Sequence, residues 1–256
     1  MNEYLRNLSR IEFVVTLACT GSCIHCQNGE DLDRTCRIDP DIAKSIVEKV
    51  AGIHNISSVM TFGGEPLLYP ETVCAIHSAA RNVGIPRRQL ITNGYFTKRA
   101  QRVEEVVRML ADAGVNELLV SADAFHQQTI SLDLVTCFVK AAVDGHIPIE
   151  ISPAWLVSKT DDNPYNARTR KILDELLSIE GVREGSGNIV FPGGNALKYL
   201  SEYFEDGEMP EDPYADDPHD LRALSICANG DVLDGNVYEQ DVLEILDGYC
   251  GVLPER

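Results

Sequence analysis

Short apolar runs recur along the chain, separated by longer stretches in which apolar residues return every three to four positions. Runs at 11–17, 56–62, 89–92, 116–121, 147–152 and 188–191 predict six strands. Between them the helical period predicts helices over 40–50, 70–83, 97–113, 131–143 and 164–179. The first opens on Asp39-Pro40, an acid that can cap free amides followed by a residue whose fixed φ suits the first turn. In the third, Val103, Val106, Val107 and Leu110 share one face, which should cover a sheet. This alternation predicts an α/β fold of successive β-α units around a parallel sheet. With no internal repeat, the barrel-like unit is expected to span 1–195 and an acidic linker with a compact cap 196–256. In that cap Asn229-Gly230 is a hairpin signal between short apolar runs, and 242–246 reads as a short helix.

Composition narrows the picture. At 256 residues the chain can form one barrel-sized domain with a small appendage. No window has the apolar length of a membrane helix. The start, MNEYLRNLSRIEFVV, lacks the basic flank, apolar run and cleavage site of a signal peptide, so the cytoplasm is expected. With 40 acidic against 22 basic residues the net charge is -18, which repels a phosphate backbone, and neither nucleic acid nor membrane is an expected partner. The acidic, proline-rich stretch 202–220 reads as a solvated tether, with docking of a basic peptide as the alternative.

Of the eight cysteines, Cys19, Cys23 and Cys26 crowd into the loop after the first predicted strand. In a chain expected to be cytoplasmic, that crowding points to metal rather than disulfides. Soft thiolates so spaced bind zinc or iron–sulfur clusters, and three without a close fourth leave one iron open. A zinc knuckle completed by Cys36 is the alternative. One β-α unit later comes Thr61-Phe62-Gly63-Gly64-Glu65-Pro66-Leu67-Leu68. Its glycines allow close backbone approach to a ligand, and the acid can accept from an ammonium group.

Together these segments resemble the radical S-adenosylmethionine (radical SAM) superfamily: C-x3-C-x2-C is similar to its signature, and Gly63, Gly64, Glu65 and Pro66 to its GGEP motif. The resemblance covers 11–195 and implies a partial (β/α)6 TIM-like barrel. It implies a [4Fe-4S] cluster on Cys19, Cys23 and Cys26, with S-adenosyl-L-methionine at the open iron. An electron donor such as flavodoxin or ferredoxin would reduce the cluster. Cleavage of the sulfonium would then leave a 5′-deoxyadenosyl radical that abstracts a substrate hydrogen. His25 would lie against the adenine, and the GGEP backbone and acid would bind the methionine amino group.

Asn93 stands in a Thr-Asn-Gly turn that looks like the one lining the family's cavity, while Ser121 and Asp123 match polar contacts to the ribose. Ser152 and the segment Phe191-Pro192-Gly193-Gly194-Asn195 occupy, by position, places from which the family holds the methionine carboxylate and adenine. His126 either meets substrate, moves a proton or is satisfied locally. These residues fall at the carboxyl ends of predicted parallel strands, where barrel enzymes collect their chemistry.

The tail segment Cys227-Ala228-Asn229-Gly230-Asp231-Val232 resembles the hairpin of SPASM or twitch extensions of peptide-modifying members. It departs from them in cysteine count, since only Cys227 and Cys250 remain there, and no auxiliary cluster is expected. Cys227 is a buried tail residue, a remnant ligand, or a hydrogen donor to a substrate radical; Cys74 and Cys137 are expected in the core. The expected reaction is epimerisation or crosslinking of a ribosomally made peptide, against which counts a start almost directly on the barrel without a leader-binding domain. The alternatives are a glycyl-radical-enzyme activase, a radical enzyme acting on a sugar, nucleoside or amino acid, and a non-enzymatic zinc-stabilised interaction module.

Overall fold

A computed structural model describes residues 2–29, 33–204 and 217–252. The expected acidic tether lies mostly at 205–216, outside the described residues. In chain order the elements are β1 (Arg10–Val14), α1 (Pro40–Ile53), β2 (Ser58–Phe62), α2 (Pro70–Asn82), β3 (Arg87–Thr92) and α3 (Ala100–Ala113). Next come β4 (Glu117–Val120), α4 (Leu132–Asp144), β5 (Ile149–Ile151), β6 (Ala154–Trp155), α5 (Pro164–Leu177), β7 (Val182–Glu184), β8 (Asn188–Ile189) and α6 (Gly194–Tyr199). The tail adds β9 (Ala223–Ile226), β10 (Asp231–Val232), β11 (Gly235–Asn236) and α7 (Val242–Gly248).

Seven strands form one parallel sheet in the order β7-β5-β4-β3-β2-β1-β9. Its two ends do not meet, so the sheet is an open, partial TIM-like barrel with helices on its convex side. Alternation explains the layering. In β1 the residues Ile11 and Phe13 are fully buried while Arg10, Glu12 and Val14 are not, because the first pair faces the helices and the others the concave side. Helix α3 answers with Val103, Val106, Val107 and Leu110, all buried as the helical period predicts. At the start of α1, Asp39 accepts from the amides of Asp41 and Ile42 (2.9 and 3.1 Å), with Pro40 in the first turn.

Several sequence expectations change. The sheet's sixth strand is β7, not 188–191: Asn188–Ile189 instead forms a two-residue ladder with β6. Only Val182 of β7 is buried, with Arg183 and Glu184 exposed, so no apolar run announces it. The tail also does more than cap, because β9 enters the main sheet beside β1, with Ile226 opposite Phe13. Asn229-Gly230 does reverse the chain, Gly230 taking a φ of +89°. The two-stranded ladder nevertheless forms one turn later, between β10 and β11. Below it, α7 packs on α1, where Lys49 pairs with Asp241. At the start of the chain the Asn2 amide donates to the carbonyls of Leu246 and Tyr249 (3.0 and 2.6 Å). Cys74 is half-buried on α2 and packs against the core, whereas Cys137 is half-buried on α4 outside it.

Candidate functional site

The loops leaving the carboxyl ends of β1 to β5 converge on one face, and the cysteine loop is held there by backbone. Past the end of β1 the ladder with β2 continues: Val15 donates to the Phe62 carbonyl (2.8 Å), Gly64 to Thr16 (2.7 Å) and Glu65 to Ala18 (2.7 Å). A Cβ on Gly63 would strike the Thr16 carbonyl, and one on Gly64 the Ala18 carbonyl. The two glycines thus let the chain leading to Cys19 lie against the GGEP turn. On its other side the loop is braced by Asn195, whose side chain donates to the Cys23 carbonyl (3.0 Å) and whose amide donates to Cys26 (2.9 Å). Gly194, at φ +49°, sits against Gln27 with no room for a side chain. The sequence marked the segment 191–195, Asn195 included, as a place that holds the cofactor; that Asn195 braces the cysteine loop was not legible there.

Cys23 is buried, and Cys19 and Cys26 half-buried. Burial raises the Cys19 pKa, with the charges of Glu65 and Cys26 adding to it and a hydrogen bond from Gly21 opposing. Cys23 is pushed up further by burial and by the charges of Asp123, Cys19 and Cys26. Burial thus disfavours the thiolate form of Cys19 and Cys23 unless a cation lies among them, which is what a bound iron cluster supplies. Arg34 is a nearby cation that sequence reasoning overlooked. Asn93 adds a weak contact from its amide to the Cys19 sulfur (3.6 Å).

Glu65 differs from the expectation of an acid aimed at an ammonium group. It is fully buried, and both oxygens accept protein donors: Leu67 N–H (2.9 Å), Thr92 hydroxyl (2.7 Å) and Asn93 N–H (2.8 Å). Its carboxylate ties the GGEP turn to the Thr-Asn-Gly turn. Burial raises its pKa to about 7 against those three hydrogen bonds.

Asp123 is likewise committed. Its oxygens accept from the amides of Phe125, His126 and Ala154 and from the His126 ring, all at 2.8–2.9 Å. Burial would raise its pKa, but the His126 charge and hydrogen bonds outweigh it and hold the carboxyl below its usual range. His126 is correspondingly raised: burial would lower it, and the Asp123 charge and hydrogen bond win. So Asp123 positions His126 rather than meeting a ribose directly. His25 lies 4.7 Å from the Phe125 ring and 4.8 Å from His126 between centroids. Burial and the His126 charge lower it to about 4, so it is neutral at neutral pH. Its Nδ1 is buried without a partner, a polar atom left for a ligand to satisfy. His25, Asp123 and His126 bring their ligand atoms within 4.8 Å of one another, but the oxygens of Asp123 are already taken by four protein donors, which argues against a metal site. Ser121 and Ser152 stand half-buried at the ends of β4 and β5. Cys227 is half-buried one residue past β9, at the same carboxyl-end face.

The thiol set, the glycine cradle and the orphaned His25 nitrogen fit an iron–sulfur cluster with an adenosyl ligand. A family model described as the Radical SAM superfamily matches residues 13–144, just over half of the chain. The chain belongs to the radical SAM superfamily. This radical SAM enzyme uses a [4Fe-4S] cluster and S-adenosylmethionine, as the family does. Among solved structures it is similar in fold to anSMEcpe with bound AdoMet, at 14% identity and a TM-score of 0.60 over 94% of this chain and 80% of that one. A second anSMEcpe structure, with AdoMet and Kp18Cys peptide, gives 13% and 0.58 over the same shares. BtrN in complex with AdoMet and 2-DOIA gives 18% and 0.51 over 93% and 81%. No curated protein matches the sequence. Among the described residues no helix is long and apolar enough to cross a membrane.

Proposed function

We propose that this enzyme abstracts a hydrogen atom from a peptide, with Cys19, Cys23 and Cys26 as the cluster ligands. The observation that carries the cluster assignment is the cysteine loop itself: three thiols gathered on one loop, braced by Gly63, Gly64 and Asn195. When bound, cluster and S-adenosylmethionine supply a 5′-deoxyadenosyl radical. The protein's own part is placement and exclusion of water. The turn of Gly63, Gly64, Glu65 and Pro66, tied to Asn93, would hold the cofactor on one side, and His25 beside the Phe125 ring on another. Ser121, Ser152 and Gly193 are the remaining positions for polar contacts to the cofactor. His126, held by Asp123, carries a proton at the edge of this space.

A peptide substrate, in the manner of the SPASM-related branch, is supported by the fold shared with anSMEcpe, whose structure with Kp18Cys peptide includes AdoMet. The fold shared with BtrN, in complex with AdoMet and 2-DOIA, favours a small molecule as the second reading. Anaerobic purification, iron and sulfide reconstitution and reduction test the assignment. The expected result is a coloured protein forming 5′-deoxyadenosine from S-adenosylmethionine. A colourless protein holding one zinc and forming none overturns it.

A further inference from the structure

Strand register arranges the concave side of the sheet in rows. Ile11, Phe13, Val59, Leu90, Leu118 and Ile149 enter the helix-covered core, and Thr61 is fixed on that side by its contact with His77 of α2 (2.9 Å). The opposite parity therefore faces the concave side. The lower row there runs Ser225, Glu12, Met60, Gln89 and Glu117, from β9 to β4. It is polar and closed on itself. Arg10 pairs with Glu12 (2.6 Å) and reaches the Met60 sulfur (2.9 Å), while Ser225 donates to Glu12 (3.1 Å). Gln89 donates to Glu117 (2.9 Å), which also takes both arms of Arg87 at 2.7 Å.

The next row is different. Val14 stands opposite Phe62, Ile91 opposite Leu119, then Glu150 and Arg183 follow. Val14, Phe62, Ile91 and Leu119 are only half-buried, whereas their helix-facing neighbours Phe13, Leu90 and Leu118 are fully buried. Two residues further along β3, β4 and β5 come Asn93, Ser121 and Ser152, one pleat or about 6–7 Å away. An apolar, partly open strip thus lies directly under the loops of the candidate site, above a polar layer that is already paired.

We propose that Val14, Phe62, Ile91 and Leu119 seat an apolar side chain of the substrate beneath the cofactor loops; the inference rests on the radical reading above. The chemistry of the row selects this occupant. A sugar seated there would turn hydroxyls onto hydrocarbon, with no partner before Glu150. An aliphatic or aromatic residue finds matching surface. At the far end the Glu150 and Arg183 pair (3.4 Å) offers acceptor and donor to the peptide main chain beside it.

The test uses the reconstituted full chain with capped tripeptides Ala-X-Ala in which X is side-chain-deuterated leucine, valine, phenylalanine, serine or aspartate. Deuterium appearing in 5′-deoxyadenosine reports the abstracted atom. Transfer from leucine, valine and phenylalanine is expected at least ~10-fold above serine and aspartate. Equal transfer, or none, while 5′-deoxyadenosine still forms overturns the seat. Failure to form any 5′-deoxyadenosine instead overturns the radical reading. Equilibrium dialysis of tritiated N-acetyl-leucinamide and N-acetyl-serinamide decides the seat without catalysis. The leucine probe is expected to bind about tenfold tighter. Val14→Thr, which keeps volume and adds a hydroxyl, and Leu119→Asn are expected to erase that preference. Equal binding of the two probes to the parent chain, or an unchanged preference in both variants, overturns the proposal.

Discussion

The backbone contact between the GGEP turn and the cysteine loop can be tested by adding one methyl group. Gly64 does not need a left-handed backbone, so Gly64→Ala introduces a purely steric change. The new Cβ would lie 2.6 Å from the Ala18 carbonyl carbon and 2.8 Å from the Leu17 oxygen, closer than the 3.0 Å below which Cβ contacts essentially never occur. The Ala18 carbonyl must move, and it is the acceptor of the Glu65 amide at 2.7 Å. The Gly64 amide bond to Thr16, also 2.7 Å, shifts with it. Losing both, at about 0.5–1.5 kcal/mol each, and stranding a buried amide at about 1–3 kcal/mol more, amounts to about 2–6 kcal/mol. Ala18 immediately precedes Cys19, so the penalty falls on cluster ligation. Urea unfolding of the iron-free protein and iron content after anaerobic reconstitution measure the two effects. Gly52→Ala, in α1 with nothing within 4 Å of the added carbon, is the control and should be neutral or slightly stabilising. A Gly64→Ala protein with parental stability and full iron content would refute the reasoning.

Three other outcomes follow from the same geometry. Glu65 has its pKa raised from 4.5 to about 7 by burial, so its contribution to stability is complete below its unfolded value and is lost as pH climbs through about 7, on the order of 3 kcal/mol. His126, also raised, acts in the same direction above its unfolded value, whereas Asp123, lowered, weakens the fold only in acid. The iron-free protein should therefore resist urea better near pH 5 than near pH 8, with Glu65→Gln flattening the profile; equal midpoints for the parent would contradict this. Asn195→Ala removes one hydrogen bond, to the Cys23 carbonyl, worth about 1 kcal/mol, and should speed iron loss to a chelator roughly fivefold. An unchanged release rate would mean the brace is dispensable. Cys26→Ala should abolish 5′-deoxyadenosine formation, while Cys36→Ala should retain the parental iron content; iron lost equally from both would bring Cys36 into the ligand set.

Much of the fold was legible because it is written locally. The alternation of β1 and the period of α3 each state which side chains face the helices, and Asp39-Pro40 announces where α1 begins. The cysteine spacing and the GGEP segment were equally legible, since each is a contiguous stretch whose residue types suit one chemistry. Edge strands were not. β7 carries two exposed charges in three residues, and β9 is short and finds its partner more than two hundred residues earlier in the chain.

By itself the sequence determined the helix and strand periods, the cluster-binding residue types and their attachment to strand ends. Only the tertiary structure decided what those residues do to one another. Glu65 and Asp123 are acids in the expected places, but burial and donors from Thr92, Asn93 and Ala154 turn both into braces. Asn195 lies far along the chain from Cys23 and yet holds its carbonyl. Strand register, set by pairing across the whole sheet, brings Val14, Phe62, Ile91 and Leu119 into one half-open strip. The physical reason is the same throughout: spacing along a chain fixes which face a side chain takes, whereas its partners and its exposure to water depend on what other segments bring beside it.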